Sequence, residues 1–139
     1  MASSATVPQI ALLNLGFRPF FLGAALFAIM SIAVWMGVYA FQQPLQLDDG
    51  ISMLQWHAHE MIYGFAMAVI AGFLLTAVKN WTGVPTIHGL KLLGLFTLWA
   101  AARILFLFGT GFIILAAILD ILFMLGLIIA VAYPVIKVK

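Results

Sequence analysis

The sequence predicts an all-α integral membrane protein, a four-helix bundle whose spans run up and down in antiparallel order. Three observations lead there. Hydrophobic residues make up 66% of the 139 and charged residues only 7%. The charges are spaced so that four long apolar runs lie between them, each near the roughly 20 residues that cross the hydrocarbon core as a helix. The connections between the runs are too short to hold a core of their own, so residues 1–139 read as a single transmembrane domain. A soluble domain of this length would need far more polar surface to cover itself. Cysteine is absent, which excludes disulfides, a thiolate metal site and covalent haem attachment through Cys-x-x-Cys-His. The net charge of +2 is no argument for nucleic acid, and none is expected as a partner; the lipid bilayer is.

Met1 to Gly16 is short and mostly uncharged, with Ile10, Leu12, Leu13 and Leu15 placed to rest on the headgroup region. The first span, about 19–41, opens at Pro19, whose missing N–H would have no partner in a first helical turn anyway. A cleavable signal peptide is the rival reading, but the apolar run is too long and lacks a small-x-small exit. Gln42-Gln43-Pro44 ends the helix, and Asp48-Asp49-Gly50 forms the next turn. Ser52 with Gln55 three residues on is a capping-box pattern. It starts the second span, about 53–78, whose mouth is Trp56-His57-Ala58-His59-Glu60-Met61. Lys79 to Pro85 reads as a loop whose Trp81 suits the interfacial aromatic belt, and His88 beyond it as solvated. The third span covers about 90–108. Gly109-Thr110-Gly111 is so short a link that the third and fourth spans must be antiparallel neighbours. The fourth covers about 112–134, ahead of Lys137 and Lys139.

Alternating spans place Arg18, Lys79, Lys91, Lys137 and Lys139 on one side of the membrane and no basic flank on the other. The positive-inside rule puts both termini in the cytoplasm and the His57 to Glu60 mouth outside.

Three charges fall inside the spans. Arg103 lies five residues before the end of the third span, about 7 Å deep, and Asp120 eight residues into the fourth, about 12 Å deep. Glu60 is about one turn inside the second. Each ionised side chain at mid-membrane costs about 2.5 to 3.5 kcal/mol on insertion scales, so partners are expected. Arg103 pairs with Asp120 across the tight hairpin, and Glu60 is the second candidate for Arg103. This network reads equally as a structural ion pair or as part of a proton or substrate path. On a regular helix His57, Glu60, Met61, Gly64, Ala68, Ala71 and Gly72 share one face, with Gly64, Ala68 and Gly72 as a small-residue ladder for close packing. His59 falls about 200° from His57, beside Ile62, Ala66, Ile70 and Phe73. Either the helix is distorted here, or the histidines serve different sites, or one is merely interfacial.

The chemistry open to these residues is narrow. His57 with Met61 is a soft donor pair that would suit copper, and a lone imidazole from His57 or His59 would suit haem iron. Glu60 could orient an imidazole or relay a proton. The spacing is not the zinc-protease His-Glu-x-x-His, because the histidines are not one turn apart.

Gly16-Phe17-Arg18-Pro19-Phe20-Phe21, then Trp56 to Met61, then Ala71 to Val78 leading to Asn80-Trp81-Thr82-Gly83, resemble the opening of the NnrS family. Leu98-Trp99 before Arg103 and Leu119-Asp120 continue the resemblance in order. It implies a polytopic protein of the bacterial inner membrane, tied to nitric oxide metabolism and nitrosative stress. It also implies haem b and copper as cofactors, with His57, His59 and Met61 as the candidate ligands. The likeness is to the N-terminal third of family members, and Ala102 precedes Arg103 where glycine is expected. Further ligands would then come from self-association or from another transmembrane subunit. Two other readings stay open: a proton- or ion-translocating element built on Glu60, Arg103 and Asp120, and a structural membrane subunit without cofactor.

Overall fold

The computed structural model describes residues 11–42, 51–108 and 111–138. The expected interfacial Ile10, the helix end at Gln43-Pro44, the turn at Asp48-Asp49-Gly50, Gly109-Thr110 of the short link and Lys139 lie outside them. Four helices are long and apolar enough to cross a membrane: α1 (Phe17–Tyr39), α2 (Met53–Thr82), α3 (Leu90–Phe108) and α4 (Ile113–Lys137). A short 3-10 turn, Ala11–Leu13, precedes α1. The chain is an all-helical, multi-pass membrane protein.

Local chemistry explains the helix ends. Ser52 Oγ accepts from the Gln55 amide at 3.2 Å while Gln55 Oε1 accepts from the Ser52 amide at 2.9 Å, the two halves of a capping box. The loop expected from Lys79 begins later, because α2 continues to Thr82 and carries Trp81 on its last turn. What stops it is Gly83, whose φ of 69° is a left-handed C-cap that glycine adopts without strain. At the end of α4 the helix runs through Pro134 to Lys137, a proline position that transmembrane helices tolerate.

Contacts fix the directions of the helices. Gly72 of α2 lies against Phe17 and Phe21 near the start of α1, and Gly64 lies against Phe27. Further along, His57 meets Ser31 and Trp35, so α1 and α2 are antiparallel. Gly126 of α4 faces Leu95, and Asp120 faces Arg103, which makes α3 and α4 an antiparallel pair as well. The core between them is aromatic: Phe20, Phe27, Trp99 and Phe123 are all buried, with ring centroids 5.8 Å apart for Phe20 and Phe123 and 6.0 Å for Phe27 and Trp99. Leu26, Ile29, Ile114 and Ile129 point outward, as lipid-facing positions do.

One segment departs from α geometry. Glu60–Ala66 within α2 is π-helical, a wide turn in which each amide reaches one residue further back. The buried row explains it. Trp56, Glu60, Gly64 and Ala68 are all buried at a spacing of four, and four residues of α-helix rotate about 40° past a full turn. Three such steps would drift by about 120°; the extra residue of the wide turn removes about 100° of that and holds the row on one line. The indole N–H of Trp99 donates to the Gly64 carbonyl at 2.9 Å, tying α3 to this turn.

Candidate functional site

At the end of the bundle opposite Lys79, Lys91 and Lys137, three helices bring ionisable side chains together below the lipid-facing surface. Arg103 of α3 is 4% exposed, Glu60 of α2 0% and Asp120 of α4 6%. Arg103 Nη2 donates to both carboxylate oxygens of Asp120, and Nη1 lies 3.2 Å from Glu60 Oε1. One guanidinium therefore bridges two carboxylates, the arrangement for which its planar fork is suited. Phe106 lies alongside, its centroid 5.5 Å from the guanidinium carbon. Gly64 makes the approach possible: a Cβ there would sit 2.4 Å from Phe27 Cε1 and 3.1 Å from Arg103 Nη1.

His59 joins this cluster rather than the outward row of Ile62, Ile70 and Phe73. Its Nδ1 is 3.0 Å from Glu60 Oε1 and its Nε2 3.7 Å from Asp120 Oδ2. Tyr63 stacks on its ring at 4.7 Å, and Phe106 lies at 4.4 Å. His57 goes elsewhere. Its ring stacks on Trp35 of α1 at 4.2 Å, and Nδ1 is 3.5 Å from the buried Ser31 hydroxyl. The expected face carrying His57 and Glu60 together, with His59 behind, is corrected accordingly. The buried row passes through Trp56 and Glu60, so the two histidines stand on its two shoulders, about 80° to either side. One shoulder meets α1 and the other α4.

The remaining candidates separate. Met61 packs against the aromatic core. The exposed His88 has Nδ1 3.1 Å from the Thr86 carbonyl at the opposite end. Among the described residues no group of three or more His, Asp or Glu side chains could hold a metal ion. His57 Nε2 has no hydrogen-bond partner among them. Four buried polar atoms also make no hydrogen bond among the described residues: Glu60 Oε2, Arg103 Nε, Trp56 Nε1, and Arg103 Nη1, whose one close partner is the ion pair to Glu60. Buried polar atoms are ordinarily hydrogen-bonded, so these mark where water, a proton or another group belongs.

Sequence reasoning missed Ser31, Trp35 and Phe106, and named Trp99 only within a family motif, without its bond to Gly64. Ser31 was visible as the sole serine or threonine of the first span, with Trp35 one turn further on the same face. The unbroken spacing of four through Glu60, Gly64, Ala68 and Gly72 was the signal for the wide turn.

No curated protein and no solved structure shows a significant match to the chain. A family model does: the one described as NnrS protein matches residues 11–139, and so takes in all four helices, the wide turn and every member of the cluster. The chain belongs to the NnrS protein family.

Proposed function

We propose that this chain serves nitric oxide metabolism and the nitrosative-stress response from the bacterial inner membrane, with both termini cytoplasmic and the His57 end facing outward. The working residue in this reading is His57, whose imidazole would hold the iron of haem b. The observation that carries it is an imidazole held by Ser31 and Trp35 whose Nε2 makes no hydrogen bond among the described residues. The tautomer in which Nδ1–H donates to Ser31 Oγ leaves the Nε2 lone pair for a metal, the usual way an outer partner orients a ligating histidine. A single imidazole is enough to hold haem iron from one chain. Copper needs more donors than His57 brings, and Met61 would have to leave the core to add one, so copper calls for groups from another chain or another copy of this one. His59 fits neither role, because both its ring nitrogens face carboxylates. When bound, the haem would supply a centre for nitric oxide binding or electron transfer. On α2, α3 and α4, Arg103 holds Glu60 and Asp120 in place, and Glu60 Oε2 makes no hydrogen bond among the described residues.

An absorption spectrum with a metal assay, on protein expressed with ample haem and copper, tests this. A Soret band lost in His57→Ala and kept in His59→Ala is expected; a band indifferent to His57→Ala, or no band at all, overturns it. A second reading, a proton- or ion-translocating element without cofactor, is favoured by that same unpartnered Glu60 oxygen. It calls for proton flux in proteoliposomes that Asp120→Asn abolishes.

A further inference from the structure

The opposite end of the bundle carries a feature that the cofactor reading leaves unused. Between the start of α3 and the end of α4 a cavity of about 680 Å³ runs along the surface, walled by Ile87, Ile129, Ala130 and Pro134 and bordered by His88, Lys91 and Tyr133. That volume is within the roughly 300–1,000 Å³ typical of ligand clefts. It adjoins a second hollow of about 310 Å³ that shares Ile87, Lys91, Ile129 and Ala130 and extends along Gly94 and Leu98 toward mid-membrane. Gly94 keeps this extension open: a Cβ there would meet nothing within 4 Å. Lys137 stands over the Tyr133 ring at 5.9 Å, adding a further cation near the rim.

We propose that this groove is a binding site for one anionic phospholipid, its headgroup held by Lys91 with His88 and Lys137 nearby and one acyl chain lying along Gly94. Charge complementarity names the occupant. Among the described residues, the four basic side chains outside the membrane interior, Arg18, Lys79, Lys91 and Lys137, all belong to this end, and a basic pocket between spanning helices is where anionic headgroups dock. A polar mouth above an apolar trough running inward matches an amphiphile lying parallel to the helices. It matches a soluble anion or a peptide less well, since neither needs the trough.

Native mass spectrometry of the full-length protein, titrated in mild detergent with phosphatidylglycerol or phosphatidylcholine, tests the site. One phosphatidylglycerol per chain should bind several-fold more tightly than phosphatidylcholine. Lys91→Ala should weaken that binding by about five-fold, the effect of one basic residue near a charged surface. Gly94→Leu, filling the trough without touching a cation, should abolish it while leaving the lipid-free melting temperature unchanged. Lys79→Ala, at the same end but outside the groove, should change nothing. Equal binding of the two lipids, retention in Gly94→Leu, or a loss in Lys79→Ala as large as in Lys91→Ala would each overturn the proposal, the last by reducing it to diffuse surface charge. None of these outcomes depends on haem or on His57.

Discussion

Arg103 is the residue on which the buried cluster turns. With it, Glu60 and Asp120 face a guanidinium; without it, two carboxylates are left buried within one bundle. Breaking a buried pair by removing one partner typically costs about 3–5 kcal/mol, whereas replacing every member with neutral groups can be nearly free. Arg103→Met alone should therefore destabilise the protein by about 3–5 kcal/mol in a denaturant titration in detergent. The triple change Arg103→Met, Glu60→Gln and Asp120→Asn should recover most of that loss. If the triple variant is as unstable as the single one, the cluster is held by shape rather than by charge. The partners of Arg103 were legible in the sequence, because a three-residue link leaves Asp120 within reach and Glu60 is the only other acid inside a span. The surroundings of His57 and His59 were not, because side chains on the shoulders of a helix take their partners from neighbours whose placement the spacing does not specify.

In α2 the decisive departure is the wide turn at Glu60–Ala66. Such turns are rare and recur at functional sites, and here the turn aligns Glu60 with Gly64 so that both can meet Arg103. Deleting Ile62, an exposed position in its middle, should return the segment to α geometry with His57, His59 and Glu60 still facing as they do, because eleven residues at about 100° each turn as far as twelve that include the wide turn. The deletion should therefore keep the stability that Arg103 and Glu60 share and any cofactor bound through His57, whereas inserting one alanine after Ile62 should rotate those residues by about 100° against the Gly64 to Gly72 face and lose both. A deletion as damaging as the insertion would show that the turn does more than hold the register. Helix existence and packing order were readable from hydropathy and link length. The π segment was not, since an expectation built on 100° per residue draws every face as straight.

Taken as a bundle, the chain separates two kinds of polar surface. Lys79, Lys91 and Lys137 stand at one end with His88, and His57, His59, Glu60 and Asp120 stand with Arg103 toward the other. The proposed orientation, with both termini cytoplasmic, rests on the positive-inside rule. A fluorescent-protein fusion after Lys139 should glow, and a phosphatase inserted between α1 and α2 should be active; the reverse pattern would turn the His57 end toward the cytoplasm and remove the basis for an outward-facing site. Hydropathy alone sufficed for the four spans, because lipid demands long apolar helices whatever their partners.

The stack of Trp35 on His57, 4.2 Å between ring centres, has an optical consequence. An indole so close to an imidazole is a built-in fluorophore for whatever that imidazole holds. A paramagnetic ion or a porphyrin arriving there would quench its emission directly, so occupancy could be followed in real time without a label.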